Sequence, residues 1–352
     1  MDLALYHPEV GYYARAAQRS GRAGDFFTSV DVGPLFGELL EIQLEEMFLL
    51  LQPPASNPQP LFDLVEAGAG NGRLSADVLR ALRRRNAAFY DATRAHLVET
   101  SASARAAQQT TLGDVAERLV SSGPALPESF EGVLFANELI DALPVHQVVM
   151  RGDELRETYV DIRDGHLVTR EGPPSTPALA AYLDHLGVAL EPGWRVEINL
   201  GAVDWIREAS KRLRRGFILL VDYGHSAREL YSATHSTGTL TTFRRHTSSG
   251  AEQATPAWLQ DPGEQDITAH VDFTSLQQTA EGEGLVTLGF LDQTYFLLGL
   301  VDARDSMSLE NRLALKTLVM PGGLGSTHKV LILGKGVGTP SLTGCSFRVR
   351  VT

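Results

Sequence analysis

Residues 61–72 read L-F-D-L-V-E-A-G-A-G-N-G, and no other stretch restricts the fold as far. Leu61, Phe62, Leu64 and Val65 form a short apolar run of the kind buried in a parallel sheet. Glu66 closes the run, and Gly68, Gly70 and Gly72 follow at alternate positions. Apolar residues then return at helical spacing, with Leu74, Val78, Leu79 and Leu82 on one face. A strand, a glycine turn and a helix in that order open a ligand crevice in a doubly wound α/β sheet. The spacing is G-x-G-x-G, not the G-x-G-x-x-G of a dinucleotide site, and an acid stands just ahead of the turn. A carboxylate there repels a phosphate and suits a ligand carrying an ammonium group, such as S-adenosylmethionine (SAM).

A chain of 352 residues with 43% hydrophobic content can bury a large core, as one elaborated domain or two small ones. A formal charge of −12 argues against holding nucleic acid by broad electrostatics. The basic runs Arg83–Arg85 and Lys211–Arg215 read as solvated helix faces or helix C-termini. Cys345 is the one cysteine, which excludes an intrachain disulfide and a thiolate metal cluster and fits a reducing compartment. The ten histidines show no H-x-x-x-H or comparable spacing, so no structural zinc is expected. No apolar run reaches the length of a membrane span, and M-D-L-A-L-Y-H-P is neither a signal nor a transit pattern. A cytoplasmic protein without membrane insertion is the expectation.

The rest of the chain alternates. Residues 34–51 have helical spacing and end at Pro53-Pro54; a Pro-rich loop, 52–60, leads into the first strand. Further strands are expected at 95–98, closed by Glu99, and at 132–136, closed by Asn137 and Glu138, with a helix over 101–110 between them. Strands at 145–150 and 157–162 and a helix near 178–187 make an insertion at about 145–200. A helix over 203–213 precedes a strongly apolar strand, 217–221, ending at Asp222. Residues 226–266 are rich in Ser, Thr and Gly with no sustained period, which suits either a mobile lid or an ordinary surface loop. Helices near 273–283 and 306–318, apolar stretches at 285–300 and a strand over 329–333 complete the chain. This divides it into an N-terminal helical segment, 1–60, and a sheet domain, 61–352, with insertions at about 145–200 and 226–266.

Glu66, Glu99, Glu138 and Asp222 all stand at strand ends, where an open α/β sheet binds its ligand. One such acid more often serves a helix N-terminus; four in register favour a site. Glu138 and Asp141 are three residues apart, so a helical turn would put both on one face, able to grip a guanidinium. Alternatively, Asn137 is a helix cap and the acids decorate the first turn. Asp222-Tyr223-Gly224-His225 offers a tight turn and a histidine able to relay a proton, with no Ser or Cys nucleophile in elbow context beside it. Gly24–Ser29 (G-D-F-F-T-S) could cover a ligand or cap the entry to the long helix. Residues 322–329 resemble a phosphate loop but lack its spacing and precede a strand, so that reading is rejected.

Taken together, these motifs resemble the MidA-like family of class I SAM-dependent methyltransferases, nearly end to end. The resemblance rests on Y-H-P-E-V-G-Y-Y (6–13), G-D-F-F-T-S (24–29), F-G-E-L-L (36–40), E-A-G-A-G-N-G (66–72) and H-L-V-E (96–99). It continues through N-E-L-I-D-A-L-P-V-H (137–146), D-Y-G-H (222–225), D-I-T-A-H-V-D-F (266–273) and K-V-L-I-L-G-K (329–335). It implies a Rossmann-like doubly wound sheet with an N-terminal helical segment and insertions, and SAM as cofactor. Glu66, Gly68, Gly70 and Gly72 would line the methionine end, Glu99 would take the ribose hydroxyls, and Asp114 would sit near the adenine. Asp25, Thr28 and Asn137 would complete the cofactor contacts, and Glu138, Asp141, Tyr223 and His225 would act on the acceptor. The resemblance further implies a protein acceptor, an arginine in a respiratory NADH dehydrogenase subunit, established for the mitochondrial branch only. Three departures stand out. The chain begins almost at Y-H-P-E-V-G-Y-Y, as if lacking an N-terminal helix usual in relatives; Ala67 and Ala69 replace bulkier residues; and 250–262 is longer. A non-catalytic SAM-binding assembly factor and a dinucleotide oxidoreductase are the alternatives.

Overall fold

The computed structural model describes residues 1–14, 28–52, 61–244, 247–249, 256–301, 307–320 and 324–347. Seven strands form the central sheet: β1 (Phe62–Ala67), β2 (Thr93–Val98), β3 (Leu119–Gly123), β4 (Phe130–Asn137), β5 (Leu213–His225), β6 (Val286–Asp292) and β7 (His328–Lys335). Their order is β3-β2-β1-β4-β5-β7-β6. The five strands from β3 to β5 run parallel, and β7 is antiparallel to both its neighbours. The short pair Val271–Asp272 adds alongside the end of β5, through Val271↔Gly224 and Asp272↔His225. The chain order reverses between β1 and β4, and a ligand crevice is expected at the strand ends there.

Strand residues point alternately to the two faces, and each face has its own core. Leu64, Val133, Phe135, Phe217 and Leu219 pack with the helices Leu35–Leu51 and Arg73–Arg85, where Phe48 stacks on Phe89 at 4.2 Å between ring centroids. Val65, Leu134, Ile218 and Leu220 pack with Ile206 and Leu276 of the helices Leu200–Arg212 and Phe273–Gly282. Phe36, Leu40, Leu44 and Phe48 share one core with Phe62 and Leu64. The expected division at residue 60 therefore does not separate two cores.

Residues 146–198 build a second sheet. This antiparallel sheet runs His166–Gly172, Glu154–Arg163, His146–Arg151, Arg195–Ile198. The helix Ala178–Leu186 packs on it through Leu179, Tyr182 and Leu183. The second insertion differs from the aperiodic loop expected at 226–266. A short helix, Ala227–Leu230, is followed by a three-stranded sheet ordered Thr247–Ser249, Thr241–Arg244, Asp266–Thr268. Strands of three or four residues are too short to show a period of two, and Thr is itself a good strand residue. Among the described residues no helix is long and apolar enough to cross a membrane.

Candidate active site

At the end of β1 the chain turns through Gly68, Gly70 and Gly72, all at positive φ (72°, 51° and 84°). A Cβ on Gly68 would also come within 3.0 Å of Leu139, so a side chain there meets both strain and a wall. Most of the amides of this turn are engaged. Gly68 and Ala69 N–H donate to the Val98 carbonyl at 2.9 and 3.0 Å, and Gly70 N–H donates to Glu99 Oε2 at 2.9 Å. Gly72 N–H donates to the Ala69 carbonyl, Arg73 N–H to Asn71 Oδ1, and Ser75 N–H to Glu66 Oε2. A pyrophosphate needs such amides free. The turn is therefore built for something other than a dinucleotide.

Glu66 is buried, and Ser75 also donates to it through Oγ. Burial pushes its carboxyl up to about 8, against the Ser75 hydrogen bonds. A carboxyl protonated in the fold but ionised above about 4.5 when unfolded stabilises fully below that pH, and the stabilisation is lost as pH rises through about 8. Glu66→Gln should therefore unfold at a higher temperature than wild type at pH 9, by at least about 2 °C, with the gap closing toward pH 5. Thermal scans across that range without ligand check it; a gap independent of pH would show that Glu66 is ionised throughout.

A cleft of about 350 Å³ opens beside the turn. Its cofactor-side wall carries Glu66, Gly68, Gly70, Asn71, Val98, Glu99, Ser101, Ala104 and Pro124; the opposite wall carries Asn137, Glu138, Leu139, Ala142, Leu143 and Trp205. Glu99 Oε1 accepts from Ser101 N–H at 2.7 Å. The N-terminal segment bridges the two walls. Ser101 Oγ donates to the Tyr13 carbonyl at 2.9 Å, Tyr13 donates to Asp266 at 2.8 Å, and Tyr6 donates to the Ala142 carbonyl at 3.0 Å. Tyr6, Tyr13 and Trp205 were not singled out from sequence. The aromatic Y-H-P-E-V-G-Y-Y was the signal for the first two, and nothing local marks Trp205.

The turn after β4 is held from below. Asp222, buried at the end of β5, accepts through Oδ2 from the amides of Leu139 (3.1 Å), Ile140 (2.8 Å) and Asp141 (3.4 Å), and through Oδ1 from Tyr223 N–H (2.9 Å). This turn is not helical, and Glu138 sits at φ 51°, a conformation that a non-glycine residue holds only when its surroundings impose it. Glu138 Oε1 collects Ser29 N–H at 3.4 Å and Asn137 Nδ2 at 3.1 Å, with His328 Nε2 at 3.6 Å as a charge contact. Those three contacts all fall on one oxygen and leave Oε2 to the cleft that Glu138 lines.

The expected carboxylate pair is not what the structure assembles. Asp141 is buried, does not line the cleft, and its Oδ1 has no partner among the described residues. Burial and the charge of Asp222 push its carboxyl well above the usual range. Four amide donors favour the charge on Asp222, so Asp141 is the neutral member of the two. Tyr223 lies behind the turn, outside the cleft lining, where burial and the charge of Asp141 raise its hydroxyl well above the usual range. His225 is also outside it, beside His235 and His270.

Two cofactor expectations are corrected as well. Asp114 precedes β3, at the strand end opposite the crevice, and is held in ion pairs with Arg80 and Arg83. Gly72 starts the helix Arg73–Arg85 and does not reach the cleft, where Leu97 would meet its Cβ at 3.1 Å. Thr28, Glu66, Gly68, Gly70, Glu99 and Asn137 line the cleft, and Asp25 lies outside the described residues.

Comparison with known proteins agrees with this geometry. Residues 39–291 match a family model described as "Putative S-adenosyl-L-methionine-dependent methyltransferase". The chain is 31% identical over 339 residues to the mitochondrial protein arginine methyltransferase NDUFAF7 of Mus musculus, covering 88% of this chain and 72% of that protein. The Homo sapiens NDUFAF7 is 30% identical over 339 residues, covering 88% and 71%. A crystal structure of a Burkholderia thailandensis protein bound to S-adenosyl-homocysteine superposes with a TM-score of 0.84 at 30% identity, covering 98% of this chain and 89% of that one. An acid-lined crevice at the first crossover, with most of its turn amides already engaged, fits SAM as the cofactor. The chain therefore belongs to the MidA-like family of SAM-dependent methyltransferases.

Proposed function

We propose that the cleft transfers a methyl group from SAM to an arginine side chain of a protein. The observation that carries this reading is Glu138, a cleft-lining carboxylate whose contacts among the described residues all fall on one oxygen. The names of the relatives as protein arginine methyltransferases support the choice of acceptor. SAM supplies a methyl group on a sulfonium, so transfer is intrinsically favourable. Glu66 and Glu99 would hold the cationic methionine end and the ribose. Leu139, Ala142 and Leu143 would exclude water from the acceptor channel.

A guanidinium is a poor nucleophile because its lone pairs are delocalised and its pKa exceeds about 12. Glu138 Oε2 would draw the positive charge toward one nitrogen and take its proton as the N–C bond forms and the S–C bond breaks. The electron pair of the broken bond stays on sulfur. Asp222 and Asp141, with Tyr223, would hold the 138–141 turn in place. By resemblance to the family, the acceptor is a respiratory NADH dehydrogenase subunit; a cytoplasmic setting belongs to the same proposal.

Incubating the protein with methyl-labelled SAM and a lysate from cells lacking its gene tests this reading. Label on an arginine of a discrete protein, located by mass spectrometry, is the expected result. Label on another residue or a small molecule would overturn the arginine assignment. SAM binding with no label anywhere would favour the non-catalytic assembly factor.

A further inference from the structure

His225, His235 and His270 come from three separate segments, yet one ring nitrogen of each lies within 4.8 Å of the others. The ring centroids are 4.7 Å (His225–His235), 5.2 Å (His225–His270) and 5.9 Å (His235–His270) apart. His225 ends β5, His235 ends the short turn Ala233–His235, and His270 precedes the pair Val271–Asp272. The first and third are brought together by close backbone pairing at Gly224, where a Cβ would fall 2.1 Å from the Val271 carbonyl oxygen. Local spacing in the sequence could not reveal this group.

Glu229 lies behind two of the rings and sets the tautomer of one. The Glu229 backbone carbonyl lies 3.0 Å from His235 Nδ1, and a carbonyl only accepts, so that nitrogen carries the hydrogen. His225 Nδ1 is 3.0 Å from Glu229 Oε1, a charge contact although the ring N–H is not aligned along it. In the His235 ring Nε2 therefore keeps its lone pair. A carbonyl or carboxylate behind Nδ1 is the arrangement that orients metal-binding imidazoles. The third ring, His270, has a buried Nδ1 with no partner among the described residues.

We propose that His225, His235 and His270 bind one first-row divalent transition-metal ion of the zinc class, with Glu229 as the orienting carboxylate. Three imidazoles and one open position suit zinc or cobalt better than calcium or magnesium, which prefer oxygen. At metal–nitrogen distances of about 2.0–2.1 Å the ligand nitrogens would stand about 3.4 Å apart, so small ring rotations close the site. The ion would fasten the start of the second insertion to the end of β5. Tyr223, whose ring packs edge-on to His270 at 6.0 Å, would carry that fastening toward the 138–141 turn through Asp222, which accepts its backbone amide.

Untagged protein, dialysed against a chelator, is titrated with Zn²⁺ by calorimetry and with Co²⁺ by visible absorption. One equivalent of Zn²⁺ should bind, and Co²⁺ should give the visible bands of a low-coordinate nitrogen site. His235→Ala and His270→Gln should each weaken Zn²⁺ at least tenfold, and Glu229→Gln about tenfold. SAM affinity, which none of these residues touches, serves as the folding control. No binding by wild type, or binding by both histidine variants equal to wild type, would overturn the site. Should a variant lose SAM binding and so prove misfolded, the wild-type Co²⁺ spectrum decides: nitrogen-ligand bands support the proposal, and their absence refutes it.

Discussion

Glu138→Gln should lower methyl transfer at saturating SAM by about 10²–10³-fold while leaving SAM affinity within about twofold. Glutamine keeps the length of the side chain and an oxygen that accepts from Ser29 N–H and Asn137 Nδ2. What it loses is the negative charge facing the cleft and the ability to take a proton. The His328 charge contact also loses its partner, which adds to the cost without moving SAM. Single-turnover label transfer into the lysate acceptor, run beside SAM calorimetry, separates the two effects. A variant methylating at more than about a third of the wild-type rate would remove Glu138 from the chemistry. Asp141→Asn, by contrast, replaces a carboxyl already neutral in the fold and should cost far less, a comparison that tests the correction made to the expected pair.

Glu99→Ala is expected to weaken SAM about 100-fold, equivalent to about 2.7 kcal/mol. The side chain stands at the end of β2 on the cofactor wall, its two oxygens each taking one backbone amide, from Gly70 and Ser101. Thr100 Oγ1 also donates to Oε1, at 3.5 Å, and Oε2 retains a further lone pair for a hydroxyl, which is how such an acid reads a ribose. Removing it also leaves the Gly70 amide unpaired, so a loss could come from the turn alone. Adenosine and methionine distinguish the causes. If Glu99 binds the ribose, adenosine affinity falls by the same factor as SAM affinity and methionine affinity does not change. Equal losses for the two fragments would mean that Glu99 only braces the glycine turn.

Much of the scaffold could be read directly. The run at 61–65, the glycines and the helical spacing from Leu74 reappear as β1, its turn and the helix Arg73–Arg85. The strands ending at Glu99, Glu138 and Asp222 stand beside β1 in the sheet or follow it. The strands at 145–150 and 157–162 were likewise legible, because His146–Arg151 and Glu154–Arg163 are six and ten residues long. In the second insertion, expected as an aperiodic stretch at 226–266, the strands were not legible, since they are too short for a period to emerge.

Within the site, position relative to the strand ends was legible and direction was not. Glu66, Glu99 and Glu138 lie where their places after apolar runs put them. Asp114 was assigned to the adenine without regard to which end of β3 it occupies, and its arginine partners come from a helix some thirty residues earlier. Asp141 was paired with Glu138 through an assumed helical turn. The amides that would have continued that turn are taken by Asp222, over eighty residues away.

Periodicity, turn glycines and acids at strand ends act over ten residues or fewer, so the order of elements and the side of the sheet that binds ligand were already written in the chain. Which carboxyl is charged, which oxygen faces the cleft, and which histidines meet depend on burial and on donors arriving from distant strands. Those quantities exist only once β4, β5 and β7 lie side by side, and that is where Glu138, Asp141 and the three histidines acquired their different roles.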